Sequence, residues 1–151
     1  MRVLVQRSDS ASCTVNNIVT GSISKGLVLL VGFTAGDTID TIKYLVNKII
    51  NLRIFDDENG VMNKSVLEVE NTSILSISQF TLYADTKKGN RPSYRNALNG
   101  TDASKLYDLF NIELAKYITV ATGIFGADMK INLINNGPVT IWLEKEDQNG
   151  K

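Results

Sequence analysis

Residues 130–142 read KINLINNGPVTIW, and at their centre the segment Asn135-Asn136-Gly137-Pro138 separates two runs of alternating apolar and polar residues. Alternation with a period of two is typical of β-strands, and asparagine and glycine are typical turn residues. The local pattern therefore predicts two strands joined by a hairpin turn. The proline is unexpected directly before Val139, because proline has no N–H to donate to a sheet.

The isomer of the Gly137–Pro138 bond is left open by these residues. Only about 5–6% of X-Pro bonds in folded proteins are cis, so the local sequence favours an ordinary trans turn. A cis bond would let both carbonyl groups project outward, where they could accept hydrogen bonds from an ammonium group or block a side chain.

Strand patterns also dominate the first third of the chain. Residues 2–6 and 12–15 alternate, and Asn16-Asn17 lies between β-branched runs. Asparagine tolerates positive φ, so this pair predicts a tight hairpin. The apolar run over residues 26–33 predicts a strand that is buried on both faces.

Further strands are predicted in the middle of the chain. The pair Asn59-Gly60 predicts a hairpin between residues 53–55 and 61–62. Residues 74–82 predict a largely buried strand with an unusual number of hydroxyl groups. Residues 86–96 predict a polar, basic loop.

Helical periodicity occurs in two regions. The first predicts a helix over residues 38–51 with Asp37 as its N-cap. The second begins at Thr101 or Asp102, and its predicted apolar side consists of Leu106, Leu109, Phe110, Leu114 and Tyr117. Strands and two main helices in this order predict an α+β fold, β-rich and organised as a single domain.

The composition narrows the possible chemistry. The 151 residues include sixteen basic and sixteen acidic side chains and no histidine, which excludes Ser-His-Asp and Cys-His catalysis. Cys13 is the only cysteine, so neither an intramolecular disulfide nor a Cys-rich metal site is expected. The longest apolar run, residues 27–31, is far shorter than the roughly 20 residues of a membrane helix. We therefore expect a cytoplasmic protein with no metal, no cofactor and no membrane segment.

The segment Ser78-Gln79-Phe80-Thr81-Leu82 places hydroxyl and amide groups at the end of an apolar strand. The hydroxyls could simply bond to nearby backbone. Alternatively, the strand end could present Thr81 Oγ and backbone N–H groups to a ligand. Without histidine, a Ser78 or Thr81 nucleophile would need Lys, Asp, Glu or the substrate to take its proton. Backbone amides could instead stabilise an oxyanion while water attacks an activated ester.

The loop over residues 87–95, KKGNRPSYR, holds four positive charges and no acid. It could be an ordinary solvated loop. It could also contact phosphates locally, with Tyr94 or Tyr83 available to stack on a base.

Two of these motifs together resemble a known family. Residues 78–82 match the SQFTL motif, and residues 135–140 match the NxGPVT motif, of the bacterial and eukaryotic D-aminoacyl-tRNA deacylases. Supporting matches run along the chain, over about residues 1–145, at residues 3–7, 53–56 with 62–63, 91–93 and 125–129. Two motifs in their expected order are far more specific than either motif alone.

The resemblance implies a barrel-like homodimer with its active site at the subunit interface. Its expected activity is that of a carboxylic ester hydrolase that cleaves the ester of D-aminoacyl-tRNA, and of mischarged glycyl-tRNA(Ala). The expected partner is a tRNA 3′ end that carries a D-amino acid or glycine. By position, Gly137 and Pro138 would form a Gly-cisPro unit that enters the partner's active site. Their carbonyls would accept from the substrate ammonium and leave no room for an L side chain.

The same match assigns roles in the catalytic pocket. Ser78, Gln79, Phe80 and Thr81 would line the site, with the N–H groups of Phe80 and Thr81 as oxyanion donors. The ribose 2′-hydroxyl of the tRNA would do the acid-base work, so that Thr81 is a positioning residue. Adenosine contacts would come from Phe125 and Met129, and Arg7 would fix the orientation of the Gly-Pro unit.

Other interpretations remain open from the residues themselves. The chain could be a non-catalytic RNA- or nucleotide-binding dimer, an esterase with a threonine nucleophile, or a purely structural dimer. The expected domain covers residues 1–145, followed by a frayed polar C-terminal tail over residues 146–151.

Overall fold

The computed structural model describes residues 1–146. Ten helices and strands follow one another in this part of the chain: β1 (Arg2–Val15), β2 (Ile18–Ile23), β3 (Gly26–Gly32), α1 (Ile39–Asn51), β4 (Phe55–Asp56), β5 (Met62–Lys64), β6 (Ser73–Ser78), α2 (Gly100–Ala115), β7 (Val120–Thr122) and β8 (Lys130–Glu144). Two short 3-10 helices, Val66–Glu68 and Phe80–Tyr83, lie before and after β6.

The main sheet has the order β2-β1-β3-β6-β7, and β8 pairs with β1. Neighbours of β1 are antiparallel to it, whereas β3, β6 and β7 run parallel to one another. Parallel neighbours need long crossover connections, and α1 and α2 lie in these connections. The end strands β2 and β7 come so close that a Cβ on Gly21 would lie 2.5 Å from the Thr122 carbonyl oxygen. The sheet is therefore nearly closed and barrel-like, and the predicted α+β single domain is confirmed.

Strand β3 is buried on both faces, as its continuous apolar run predicts. Leu27, Leu29 and Val31 pack in the cluster that includes both helices. Val28 points the other way, into a second cluster around Cys13 and Leu75. The sheet thus separates a layer under the helices from a layer inside the curved sheet.

Two of the three predicted hairpins form, those at Asn16-Asn17 and Asn59-Gly60. Asn16 and Asn17 adopt positive φ values of 49° and 63° in the turn between β1 and β2. The Asn59-Gly60 turn joins β4 and β5, which form a separate two-stranded sheet.

The helices form as predicted, but their caps differ. Thr38, not Asp37, caps α1, because its side chain accepts from the Thr41 N–H. The Asp37 carboxylate instead accepts from the Thr34 N–H at 2.8 Å. Asn99 caps α2 in place of Thr101 or Asp102, accepting from the Asp102 N–H.

The apolar side of α2 was only partly predicted. Phe110 and Leu114 are fully buried, whereas Leu109 and Tyr117 are 40% and 51% exposed. The helix buries Ala103 and Tyr107 as well, so the face that packs against the sheet is rotated from the predicted one.

The predicted hairpin at residues 135–138 is wrong, because residues 130–144 form the single strand β8. In the β1–β8 ladder, Ser8 is paired with Asn135 and Gln6 with Thr140. Residues 136–139 therefore bulge opposite Arg7 alone, and the proline occupies a position that needs no ladder donor.

Strand β8 ends two residues before the predicted tail over residues 146–151. Glu144 belongs to β8 and accepts from Arg2 Nε at 2.7 Å, and Glu146 accepts from Arg2 Nη2 at 3.3 Å. Residues 147–151 of the predicted tail lie outside the described residues. None of the helices within residues 1–146 is long and apolar enough to cross a membrane.

Candidate active site

Strand β6 ends at Ser78, so the predicted strand over residues 74–82 is too long. The Gln79 N–H still donates to the Val31 carbonyl at 2.7 Å, and the chain then turns into the 3-10 helix Phe80–Tyr83. Gly32 allows this turn, because a Cβ there would lie 2.9 Å from the Gln79 carbonyl oxygen. A glycine at the end of a buried strand is the sequence signal for such a close approach.

The start of this 3-10 helix leaves two backbone donors free. The first N–H groups of a helix have no partner within it. Within residues 1–146, the N–H groups of Phe80 and Thr81 donate no hydrogen bond. The Thr81 hydroxyl is engaged differently, since it accepts from Gln79 Nε2. No carboxylate or amine in the described part of the chain bonds to the Thr81 hydroxyl.

A cavity of about 610 Å³ opens beside this strand end. It contains five of the predicted site residues: Ser78, Gln79, Phe80, Phe125 and Met129. Thr81 lies next to these residues in the chain but does not line the cavity, and neither do Arg7, Gly137 and Pro138. The structure thus brings together the predicted adenosine-contacting residues and separates them, within one chain, from the Gly-Pro unit.

Most of the remaining wall could not be found from sequence motifs. The end of β3, the segment before α2 and the first turns of α2 contribute Val31, Gly32, Phe33, Ala97, Leu98, Asn99, Gly100 and Ala103. Apart from the polar Asn99 these residues are small or apolar, and none belongs to a motif, so only the folded arrangement identifies them. Tyr94, considered for stacking on a base, also lines the cavity.

Aromatic residues form part of the cavity lining. Phe80 is 57% exposed and meets the Tyr94 ring edge-to-face, with ring centroids 5.0 Å apart. Phe125 packs against Tyr107, whose hydroxyl donates to the Ser76 carbonyl at 2.7 Å. Exposed aromatic rings at a cavity mouth are suited to stacking on a nucleobase.

The cavity contains no ionisable group that could act near neutral pH. None of its described lining residues is Asp, Glu, Lys or Arg. Burial raises the pKa of the nearby Tyr83 and Tyr107 hydroxyls above their ordinary value, so both stay protonated. Within residues 1–146, no cluster of three or more His, Cys, Asp or Glu side chains could hold a metal ion. The groups offered to a ligand are neutral hydroxyl, amide and backbone N–H groups.

The Gly137–Pro138 peptide bond is cis, and both residues are exposed. Gly137 has a φ of 119°, in the region that favours glycine. A Cβ at Gly137 would lie 2.8 Å from Arg7 Nη2 and 2.8 Å from Val139 Cγ2. This backbone position therefore requires glycine.

Arg7 supports the bulge with hydrogen bonds from its guanidinium group. Its buried guanidinium donates from Nε to the Asn136 carbonyl at 3.1 Å and from Nη2 to Asn136 Oδ1 at 3.2 Å. Its Nη1 donates to the Ile54 carbonyl at 2.8 Å, which ties the bulge to the body of the domain. The Asn135 side chain donates to the Arg7 and Val139 carbonyls at 3.1 and 3.0 Å. Hydrogen bonds from Arg7 and Asn135 thus fix the backbone before and after Gly137 and Pro138, and these two residues project from the surface.

Solved structures share this fold. One, described as "Structural Analysis of a probable eukaryotic D-amino acid tRNA deacylase", matches with a TM-score of 0.81 and 19% identity over 94% of this chain and 97% of that chain. Another, described as "c-Myc DNA Unwinding Element Binding Protein", matches with a TM-score of 0.91 and 38% identity over 97% of this chain and 100% of that chain.

The sequence identifies the family. Residues 4–144 match the model of the D-Tyr-tRNA(Tyr) deacylase family, so the chain belongs to that family. The enzymes of this family are hydrolases, and the reaction that they catalyse is the deacylation of tRNA.

Proposed function

We propose that the protein hydrolyses the ester between a D-amino acid, or glycine, and the 3′-terminal adenosine of tRNA, including glycyl-tRNA(Ala). The cavity beside Ser78 carries this proposal, because it combines free backbone N–H donors with a lining that has no group ionisable near neutral pH. Such a site can stabilise a developing oxyanion but offers no general base of its own. Its reaction takes place in the cytoplasm, where aminoacyl-tRNA is used.

The reaction begins with attack of water on the ester carbonyl carbon. The oxyanion that forms accepts from the Phe80 and Thr81 N–H groups, both at the start of one helical turn. Collapse of this intermediate breaks the bond to the ribose 3′ oxygen. The ribose 2′-hydroxyl relays the proton from the water to that leaving oxygen, since no cavity side chain can do so.

Thr81 is a positioning residue in this mechanism. Its hydroxyl accepts from Gln79 Nε2, which couples the cavity amide to the helical turn that bears the N–H donors. A threonine nucleophile would need a base to remove its proton, and no carboxylate or amine of residues 1–146 bonds to it. This contact supports the RNA-assisted mechanism over a threonine esterase.

The terminal adenosine occupies the apolar end of the cavity. Phe125, Met129 and Phe80 provide apolar and aromatic surface for the base. Ser78 and Gln79 line the cavity at the strand end, where the ester carbonyl lies.

Gly137 and Pro138 provide chiral selection across a homodimer. They are exposed and rigidly supported, yet they do not line the cavity of their own chain. This separation supports a site completed by the partner subunit's Gly-Pro unit. Its carbonyls accept from the substrate ammonium and exclude an L side chain, whereas glycine has no side chain to exclude.

The decisive experiment measures amino acid released from D-Tyr-tRNA, L-Tyr-tRNA and Gly-tRNA(Ala) by the purified protein. We expect rapid release from the D and glycyl substrates and none above background from the L substrate. Equal hydrolysis of both enantiomers would contradict the chiral role of the Gly-Pro unit. No release from any substrate would contradict the enzyme assignment.

Nucleic-acid binding without turnover is a second candidate. The exposed Phe80–Tyr94 pair favours it, as does the 38% identical relative, whose name describes a DNA-binding protein. The same assay separates the two, because a binding module or a structural dimer releases no amino acid.

A further inference from the structure

The loop over residues 87–95 concentrates positive charge in a chain with no net charge. Lys87, Lys88, Arg91 and Arg95 are all exposed, and none of them forms an ion pair with a carboxylate of residues 1–146. Other cations, such as Arg2 and Lys116, are paired. The loop therefore offers charge that the described part of the protein does not neutralise.

This loop is held in place at both ends. Asp85 and Ser93 form an isolated antiparallel bridge, with backbone hydrogen bonds of 2.7 and 2.9 Å. The Lys87 N–H donates to Asp85 Oδ1 at 2.9 Å. Beyond the loop, the Leu98 N–H donates to the Phe33 carbonyl at 2.9 Å. Lys87, Lys88 and Arg91 are thus presented on a closed loop, and Arg95 follows two residues after the bridge that closes it.

The loop is also part of the candidate active site. Tyr94 lies between Arg91 and Arg95 in the sequence, lines the cavity and packs edge-to-face on Phe80. The charged residues therefore lie on the same loop as a residue that lines the cavity, and Arg95 follows that residue directly.

We propose that the loop over residues 87–95 binds the backbone phosphates of the unpaired tRNA 3′ end, directly before the terminal adenosine. This inference rests on the proposed function, which puts that adenosine in the cavity. The cavity lining is neutral, so the positive charge that neutralises the phosphates must lie outside the cavity. Tyr94 stacks on the nucleotide that precedes the adenosine, and the four cations contact the phosphates on either side of it.

A single-stranded RNA fits these features better than a small anion does. A free phosphate would use the cations but not the rings of Phe80 and Tyr94. A polynucleotide uses both, because stacking tolerates any base while cations follow the backbone. Competition by inorganic phosphate distinguishes the two ligands.

The test compares two substrates that share the terminal aminoacylated adenosine, only one of which carries the preceding nucleotides and their phosphates. One is D-Tyr-tRNA, and the other is adenosine esterified with D-tyrosine, which has no phosphate. The variants are Lys87→Ala/Lys88→Ala and Arg91→Ala/Arg95→Ala. The matched control is Lys43→Ala/Lys48→Ala, which removes two exposed cations from α1.

For each loop variant we expect kcat/KM on D-Tyr-tRNA to fall by about tenfold, and the slope of log kcat/KM against log salt to shrink by about 1.4 for two lost contacts. The rate on the adenosine ester stays within about twofold, because that substrate has no phosphate to bind. The control variant keeps both rates. Millimolar phosphate does not reproduce the loss.

Equal losses on both substrates, or no loss on tRNA, would overturn the role of the loop. If the wild-type protein hydrolyses neither substrate, the proposed function fails, and the loop is then tested by binding alone. Fluorescently labelled tRNA must bind the wild-type protein more tightly than the same tRNA without its last three nucleotides. A loop variant that binds both RNAs as the wild-type protein does would overturn the inference.

Discussion

Gly137 is the residue at which backbone geometry and proposed chemistry coincide. Its φ of 119° favours glycine, and a Cβ would lie 2.8 Å from the buried Arg7 guanidinium. Arg7 cannot withdraw easily, because its other contacts include the Ile54 carbonyl at 2.8 Å. A side chain at position 137 must therefore displace the exposed backbone of that residue rather than Arg7, which supports it.

Gly137→Ala is expected to impair the reaction more than folding. The displaced carbonyls no longer meet the substrate ammonium, so kcat/KM on D-Tyr-tRNA falls by about 100-fold or the preference for D over L substrate decreases. The unfolding free energy, measured in urea, decreases by only about 1–3 kcal/mol, the usual cost of such strain.

The matched control is Gly60→Ala in the β4–β5 turn. Gly60 also has positive φ, at 74°, but a Cβ there meets nothing within 4 Å. This variant should lose similar stability and keep its activity. Loss of folding in Gly137→Ala, with no separable effect on the reaction, would count against the proposed role of Gly137.

A substitution at Thr81 tests whether the protein hydroxyl or the RNA 2′-hydroxyl does the acid-base chemistry. Thr81→Ala removes a hydroxyl that bonds only to Gln79 within the described residues, so kcat should stay within about tenfold of wild type. A tRNA ending in 2′-deoxyadenosine should instead react roughly 100-fold more slowly or worse, since it lacks the proton relay. The measurement is single-turnover hydrolysis of both RNAs.

Thr81→Ser serves as the control for the threonine hypothesis. If Thr81 were the nucleophile, the serine variant would keep activity and the alanine variant would lose it by several orders of magnitude. That pattern, together with normal hydrolysis of the deoxy substrate, would contradict the RNA-assisted mechanism.

Among the secondary-structure elements, those with a local signal could be predicted from the sequence. The β1–β2 hairpin follows from Asn16-Asn17, and the double burial of β3 follows from its unbroken apolar run. Strand β8 could not be predicted in this way. Its bulge at residues 136–139 exists because Ser8 and Gln6 pair on either side of it, more than 120 residues away in the chain.

The residues of the candidate site likewise divide into those with a local sequence signal and those without one. The residues at the end of β6 could be proposed from the sequence, because hydroxyl and amide groups follow a buried strand there. The walls contributed by Ala97, Leu98 and Ala103 carry no chemical signal and depend on how α2 packs. The length of β6 was overestimated because the turn after Ser78 requires Gly32 on a neighbouring strand.

The cap of α1 provides a stability test at the level of one helix. The Thr38 side chain accepts from the Thr41 N–H, so Thr38→Ala removes an acceptor from an exposed helix end. We expect the unfolding free energy to fall by about 1 kcal/mol, whereas Thr38→Ser should keep the wild-type value. Urea denaturation at one fixed protein concentration measures both, and equal stability of Thr38→Ala and wild type would contradict the cap.

In the whole molecule, the features assigned to the reaction lie in different regions. The cavity is neutral, the loop over residues 87–95 is positive, and the Gly-Pro unit projects elsewhere on the surface. Each proposed step thus has its own structural element. In the proposed mechanism, one subunit binds the RNA end and stabilises the oxyanion, and the Gly-Pro unit of the other subunit selects the amino acid.

Mixing two variants that are impaired at different places tests this division between subunits. Gly137→Ala impairs the Gly-Pro unit, and Ala97→Trp fills the cavity with an indole ring. In a mixed dimer, the intact cavity of the first subunit faces the intact Gly-Pro unit of the second. An equal mixture refolded together contains half mixed dimers, so about a quarter of the wild-type activity should return.

Differently tagged subunits make the mixed dimer measurable and separable, and light scattering gives its mass. Each homodimer alone sets the background rate. If purified mixed dimers are no more active than the two homodimers, then Gly137 and the cavity of the same chain must form one site. In that case the bulge opposite Arg7 would have to reach its own cavity, although residues 137 and 138 do not line it in the folded chain.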